Sequence, residues 1–316
     1  MSLIDRALAL QGKVDPMRVG LKLPQLGEGV DRGAVRGFCE SAEELGFDSL
    51  WIQDHVFFPL EPLTPYGGFE GVRMPDRYRR TFSALELLSM AAAWTERIRL
   101  GTHVMVAGSH HPVQLAQRLA TIDVLSEGRL VVGLGVGWSI DEHRLFGVPF
   151  ERRGQRFDEF IEVLLACWGS DPVEYHGAFF GVPPSAVGPK PFQHPHPPLL
   201  VGFLGPRGVK RAVRWFDGWM AVCPMDEATD ELAEMNRSRT HDQRPMTLHT
   251  LGSPYSPHLD EGVVGVDGVM EQVLNARTHG ANEIIIECCY WPEITSSRDW
   301  VGVPERLAAA VDVAHG

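Results

Sequence analysis

The chain is poor in cysteine and lacks long apolar runs, and each absence excludes a class of protein. None of its five cysteines stands in a C-x-x-C spacing, so the sequence predicts neither a disulfide framework nor a zinc site. No apolar stretch approaches the ~20 residues of a membrane-spanning helix. The N-terminal segment carries Asp5, Arg6 and Lys13 where a signal peptide would be uninterrupted and apolar. We therefore expect a cytoplasmic protein.

Basic residues are also scarce relative to acidic ones. Lys and Arg number 29 against 41 Asp and Glu, and the resulting net charge of −12 repels nucleic acid and anionic lipid surfaces. The expected partner is a small-molecule substrate, with no nucleic acid and no membrane. No linker-like composition divides the chain, so we predict an N-terminal extension over residues 1–17 and one domain over residues 18–316.

A dinucleotide-binding turn is missing as well. The segment GRLVVGLGVGWSIDEH, residues 128–143, places glycines at 133, 135 and 137 but lacks the third glycine of G-x-G-x-x-G. It predicts instead a strand end whose bare backbone lets a flat or anionic group approach closely. The adjacent His110 and His111 point apart on an extended chain and have no suitably spaced third ligand, so we expect no metal site.

Eight short β-rich runs alternate with segments of helical spacing. The runs begin at Arg18, Asp48, Ile98, Arg129, Pro198, Asp217, Pro245 and Asn282. Apolar strands joined by helices predict parallel pairing, and eight such units predict a TIM (β/α)8 barrel with its functional face at the carboxyl ends of the strands. Two longer connections, residues 56–80 after strand 2 and 169–197 before strand 5, are predicted to be lids or insertions.

Several segments, in their order along the chain, resemble the luciferase-like monooxygenase superfamily and its branch that uses the deazaflavin coenzyme F420. They are LGFDSLWIQDHV, RIRLGTHVMV, HHPVQLAQRLATIDVLSEGRLVVGLGVGW, DEHRLFGVPFERRGQRFDEFIEVL and PPLLVGFLGPRGVKRAVRWFDGW. The resemblance covers roughly residues 18–286. It implies an oxidoreductase that transfers a hydride between reduced coenzyme F420 and a small organic substrate.

The resemblance also implies roles for residues at the strand ends. His55 would face the substrate as a proton donor or orienting group, and Asp54 would hydrogen-bond the cofactor, unless the two only hold the following loop in place. A cis peptide between His103 and Val104 would form a bulge behind the cofactor ring. The other residues expected along the cofactor are Val106, Gly135, Val136, Gly137, Trp138 and Ser139.

The segment GFLGPRG favours a phosphate cradle because it follows a strand and opens a helix with Pro206 in its first turn. Its cofactor-binding residues would be Gly202, Phe203, Leu204, Gly205 and Arg207, although a plain turn with a surface arginine is the alternative. In the loop after His55, four arginines either bind an anionic part of a ligand or are simply solvated: Arg73, Arg77, Arg79 and Arg80.

Three functional alternatives follow from these residues. The first is the F420-dependent oxidoreductase, and Val136 and Pro59, which depart from the sugar-phosphate dehydrogenase branch, predict a substrate other than glucose 6-phosphate. The second is an FMN-dependent monooxygenase that uses O2 and reduced flavin from a separate cofactor-reducing enzyme. The third is a cofactor-binding protein without turnover. A homodimer is the expected assembly in each case.

Overall fold

Each of the eight β-rich runs predicted from the sequence contributes a strand to one parallel barrel. The computed structural model describes residues 15–202, 206–253 and 265–315. The strands in those ranges are β1 (Arg18–Lys22), β2 (Ser49–Ile52), β3 (Arg99–Thr102), β4 (Met105–Val106), β5 (Leu130–Gly135), β6 (Val173–His176), β7 (Gly181–Ser185), β8 (Leu199–Gly202), β9 (Gly218–Ala221), β10 (Thr247–Gly252) and β11 (Glu283–Ile286). The parallel ring runs β1, β2, β3, β5, β8, β9, β10, β11 and back to β1, which confirms the TIM barrel.

Helices connect the strands and cover the outside of the barrel. They are α1 (Arg32–Glu44), α2 (Ala84–Trp94), α3 (Pro112–Leu125), α4 (Ile140–Leu145), α5 (Arg153–Trp168), α6 (Pro206–Trp215), α7 (Met225–Arg237), α8 (Gly265–Thr278), α9 (Ser297–Leu307) and α10 (Ala309–His315). Local sequence sets their ends: the Asp31 carboxylate accepts a hydrogen bond from the Ala34 N–H at 2.8 Å where α1 begins. Gly46, with φ of 82°, follows the end of α1, as its sequence predicts.

Trp51 fills the interior of the barrel. It packs with Val131, Leu200, Met220 and Ile285, each from a different strand. The neighbouring strands carry glycine where they contact the Trp51 ring. A Cβ on Gly20 would lie only 2.6 Å from the Trp51 Nε1, so a larger residue there would clash with the ring. The lumen is therefore a packed core, and ligands have to be bound above Trp51, at the carboxyl ends of the strands.

The opposite end of the barrel holds a buried carboxylate, Glu283. Its Oε2 lies 3.3 Å from Arg18 Nε, 3.6 Å from Arg99 Nη1 and 3.3 Å from His249 Nδ1, and Ser49 donates a hydrogen bond to its other oxygen. Burial acts to raise the pKa of Glu283, but the neighbouring His249, Arg99 and Ser49 more than offset it and lower that pKa to about 2. The carboxylate stays ionised and ties the starts of four strands together.

Both long connections are insertions, as predicted, and both are anchored. Residues 169–197 contain the antiparallel hairpin of β6 and β7. Residues 56–80 are fastened to the segment after β11 by three phenols: Tyr66, Tyr78 and Tyr290 form a triangle of hydroxyl contacts at 2.7, 2.5 and 2.5 Å. Burial raises the pKa of Tyr66 to about 12, so its hydroxyl stays protonated and can both donate and accept.

Candidate active site

Asp54 follows β2 and holds the neighbouring strand end. Its Oδ2 accepts hydrogen bonds from the Val106 N–H at 3.0 Å and from His110 Nε2 at 2.7 Å, and its side chain is buried. The sequence interpretation gave this carboxylate a direct bond to the cofactor. The structure places one of its oxygens between Val106 and His110, where it positions the residues after the bulge in strand 3. The bond to the cofactor stays a prediction.

His55, the next residue, forms a buried pair with Glu142. Its Nδ1 lies 3.0 Å from Glu142 Oε1, and the two side chains are only 10% and 5% exposed. Aromatic rings surround the imidazole, with centroids at 5.0 Å for Tyr78 and 5.9 Å for Trp138. Because its Nδ1 is held by the carboxylate, the orientation of the imidazole is set by the protein.

Glu142 was missed by sequence reasoning, although its position carries a signal. Ser139 is the N-cap of α4, and its Oγ accepts from the Glu142 N–H at 3.1 Å. A serine followed three residues later by glutamate is typical of a capping box, in which the glutamate turns back to the cap. Here the Glu142 side chain reaches His55 instead, so a motif that indicates helix capping supplies a residue of the site.

The predicted cis peptide between His103 and Val104 is present, and the bulge interrupts the third strand between β3 and β4. The Val104 side chain lies against two glycines: a Cβ on Gly135 would be 2.8 Å from Val104 Cγ2, and one on Gly202 would be 3.1 Å from its Cγ1. A Cβ on Gly137 would meet His143 at 2.8 Å. The position that a Cβ would take at each of these glycines is thus occupied by a barrel side chain, and the approach of a ligand along their backbone stays a prediction. The half-buried Val104 side chain offers an apolar contact surface to a cofactor ring.

Polar side chains line the barrel mouth around the bulge. Lys22, the last residue of β1, donates from Nζ to the His103 carbonyl at 3.1 Å, and its Nζ lies 3.9 Å from Glu287 Oε2. Burial lowers the pKa of Lys22, and Glu287 acts against that shift. Burial and the nearby Lys22 also hold the pKa of His103 well below its usual value, so this imidazole is neutral.

Gln53 supplies an unsatisfied donor at the same mouth. The side-chain amide of Gln25 accepts a hydrogen bond from the Gln53 N–H at 3.1 Å and donates one to the Gln53 carbonyl at 2.7 Å. The Gln53 Nε2 is buried and has no hydrogen-bond partner among the residues described. Alternation along an extended strand places Gln53 on the same side as Trp51, one layer nearer the mouth. An unpaired buried donor in this position fits a ligand with a polar edge.

The proposed phosphate cradle is described in part. Gly202 ends β8, and α6 begins at Pro206, in agreement with the prediction of proline in the first helical turn. Phe203, Leu204 and Gly205 lie outside the described residues. The exposed Arg207 stands in the first turn of this helix, whose N-terminus favours an anion.

A cavity of about 810 Å³ lies between the first insertion and the start of α4. Glu142 and Trp138 form part of its wall, so the cavity lies next to the His55–Glu142 pair. The remainder of the wall is mixed. Its apolar side chains are Phe57, Phe58, Pro59, Leu60, Pro62, Val72, Met74 and Pro75, and its charged side chains are Glu70, Arg73, Asp76, Arg79 and Asp141. The cavity therefore combines apolar side chains with an excess of carboxylates over arginines.

The arginines of the first insertion differ in what they bind. Arg77 donates to two backbone carbonyls after β11 at 2.9 and 2.7 Å, and Arg80 donates to the Val30 carbonyl at 3.1 Å. Arg79 pairs with a neighbouring carboxylate at 2.9 Å. Arg73 is exposed at the cavity wall, with no ion pair or hydrogen bond to the described part of the chain. Of the four, Arg73 is the one placed to meet an anionic ligand.

Two features are absent from the described ranges, residues 15–202, 206–253 and 265–315. These ranges contain no group of three or more His, Cys, Asp or Glu side chains arranged to hold a metal ion. They also contain no helix long and apolar enough to cross a membrane.

The sequence of this chain is similar to those of known proteins. The profile of a family described as luciferase-like monooxygenase matches residues 17–261. An uncharacterised protein of Mycobacterium tuberculosis is 37% identical over 217 residues, 68% of this chain and 75% of that protein. A protein of Microbacterium testaceum named F420-dependent glucose-6-phosphate dehydrogenase is 31% identical over 215 residues, 67% of this chain and 58% of that protein.

Solved structures share the fold at lower identity. A monooxygenase from Streptomyces bottropensis superimposes with a TM-score of 0.72 at 21% identity, covering 93% of this chain and 98% of that one. An F420-dependent secondary alcohol dehydrogenase, bound to an F420–acetone adduct, gives a TM-score of 0.71 at 18% identity, covering 94% and 99%.

Proposed function

Because the chain belongs to the luciferase-like monooxygenase family, we propose that it is an oxidoreductase that transfers a hydride between reduced coenzyme F420 and a small organic substrate. The buried His55–Glu142 pair, whose carboxylate residue also lines the cavity, is the observation that carries this proposal. The choice of F420 is supported by a relative at 31% identity whose name includes that cofactor.

The residues at the barrel mouth fit a deazaflavin. Val104 offers an apolar contact to one ring face, and the unpaired Gln53 Nε2 matches a ring carbonyl or nitrogen. The N-terminus of α6 and Arg207 suit the phosphate of the side chain. When bound, the deazaflavin supplies or accepts the hydride.

The chain's own residues then handle the proton. His55 holds a proton on the substrate side and delivers it as the hydride arrives, which is general acid catalysis by a positioned imidazole. Glu142 fixes the orientation of the imidazole through its contact with Nδ1. The rings of Tyr78 and Trp138 limit the access of water to the pair.

The cavity wall indicates the kind of substrate. Its four carboxylates outnumber its two arginines, so it suits an uncharged carbonyl compound or alcohol better than a sugar phosphate, which needs several cations. The carboxylates are Glu70, Asp76, Asp141 and Glu142. Of the cavity's two arginines, Arg79 already pairs with Asp76. We therefore propose a substrate other than glucose 6-phosphate.

Cofactor titration tests the proposal. We expect oxidised F420 to bind more tightly than FMN, as measured by fluorescence quenching with each cofactor on the same protein preparation. Micromolar binding of FMN without measurable binding of F420 would instead support an FMN-dependent monooxygenase. Tight F420 binding with no turnover on any carbonyl or alcohol would favour a carrier, for which a buried imidazole–carboxylate pair has no evident use.

A further inference from the structure

Glu142 stands on a helix that is too short to hold its own position. Helix α4 (Ile140–Leu145) has six residues. A helix of this length is not stable by itself in water, so tertiary contacts decide where it lies. The N-cap Ser139 supplies one local contact, by accepting from the Glu142 N–H. The place of the Glu142 carboxylate therefore depends on what else holds the first turn of α4.

The first insertion holds that turn through Thr64. The Thr64 Oγ1 accepts a hydrogen bond from the Ile140 N–H at 2.9 Å, so it satisfies one of the donors that a helix leaves free at its N-terminus. Bonds also run in the other direction, because the Asp141 carboxylate accepts from the Leu63 N–H at 3.1 Å and from the Thr64 N–H at 3.3 Å. We call this set of contacts between residues 63–64 and 140–141 the Thr64 clamp.

The same insertion contacts the other member of the pair. The ring of Tyr78 packs edge-on against His55, with centroids 5.0 Å apart, and the hydroxyl triangle fixes Tyr78 in turn. Thr64 and Glu142 both line the cavity. The insertion therefore touches His55 through an aromatic ring and the helix of Glu142 through a hydroxyl group.

We propose that Thr64 is a positioning residue for the His55–Glu142 pair. By capping α4 it fixes the first turn of the helix, and with it the Glu142 carboxylate that orients the imidazole. This inference rests on the proposed function for its effect on turnover. Its effect on the contact between His55 and Glu142 can be measured whether or not the protein is an oxidoreductase. A threonine that merely lined the cavity would act on substrate binding instead.

The first test observes the pair directly by NMR of protein labelled with 15N-histidine. An ionised carboxylate only accepts hydrogen bonds, so the His55 Nδ1 carries a proton whose low-field signal is assigned by its loss in H55A. T64V replaces the hydroxyl with a methyl group and should broaden or remove this signal, whereas T64S keeps the hydroxyl and should preserve it. The matched control is T229V, whose hydroxyl bonds to a carbonyl of its own helix at 3.0 Å, and it should preserve the signal.

The second test separates positioning from binding by steady-state kinetics on an accepted substrate. T64V should lower kcat about tenfold with little change in KM, because the lost interaction acts on the transition state. In the E142A background T64V should change kcat by no more than about twofold, since no carboxylate remains to be positioned. D141A removes the clamp from the side of the helix and should reproduce the effects of T64V.

The outcomes separate the inference from the proposed function. If wild-type protein binds neither F420 nor FMN, the proposed function fails and the NMR comparison still decides the inference. A His55 signal that is unchanged in T64V and D141A, or that wild type itself lacks, overturns the inference. A rise in KM with unchanged kcat also overturns it, because Thr64 would then be part of the cavity wall alone. Should T64V not fold, the His55 signal in D141A decides.

Discussion

The most consequential contact between side chains is the one between His55 and Glu142. Removing the imidazole by H55A should lower turnover by roughly 10² to 10⁴ while leaving the affinity for cofactor nearly unchanged, because a positioned acid acts on the transition state. E142Q should lower turnover in the same direction but by less, since the amide keeps an oxygen near Nδ1 and loses the charge. Steady-state rates on an accepted substrate and cofactor titration measure the two effects.

A matched control for E142Q is E305Q, which changes an exposed carboxylate on α9. It should leave turnover unchanged. Turnover of H55A within a factor of two of wild type would remove the histidine from the mechanism and leave it as a residue that anchors the loop.

At the scale of elements, the first insertion behaves as a fixed wall of the cavity. The hydroxyl triangle of Tyr66, Tyr78 and Tyr290 joins it to the segment after β11, and Arg77 adds two bonds to backbone carbonyls there. Y290F removes one hydroxyl and keeps the ring, so it should destabilise the protein by about 1 kcal/mol. We expect faster amide hydrogen exchange in residues 56–80, measured by mass spectrometry.

The control for Y290F is Y175F in the second insertion, where the hydroxyl donates to Glu162 at 2.8 Å. Y175F should leave exchange in residues 56–80 unchanged. Equal exchange in wild type and Y290F would show that the triangle does not hold the insertion.

For the whole molecule, the buried Glu283 network supports the barrel at the end remote from the site. E283Q leaves Arg18 and Arg99 without their buried partner, and we expect a loss of about 3 kcal/mol at pH 7 with unchanged cofactor affinity. The folded pKa of about 2 lies below the unfolded value, so the contribution of Glu283 is fully present above pH ~4.5 and is lost as the pH falls toward 2.

Urea unfolding at several pH values measures the contribution of Glu283 to the free energy of unfolding. The difference between wild type and E283Q should be the same at pH 7 and pH 5 and should shrink below pH ~4.5. The surface variant E305Q should stay within about 0.5 kcal/mol of wild type throughout. If the stability difference between wild type and E283Q grew as the pH fell, the role assigned to the Glu283 network would be contradicted.

The barrel could be predicted from the sequence because its signals are local. Strand periodicity, a glycine after α1 and proline at the start of α6 each depend on neighbouring residues alone. The position of His55 could be predicted for the same reason, since it directly follows a strand. The His55–Glu142 contact could not, because the two residues are 87 positions apart and meet only once α4 is oriented. Gln53 and Lys22 are ordinary strand-end residues until the burial of both side chains and the missing partner of the Gln53 amide are known.

Trp51 limits the route by which ligands can reach the site. With the lumen closed by this ring, the barrel offers no passage from one end to the other, so cofactor and substrate have to arrive at the same rim. Whichever of them lies deeper must enter first and leave last. For the proposed reaction we therefore expect an ordered addition and release of cofactor and substrate, set by one tryptophan and the two glycines beside it, Gly20 and Gly101.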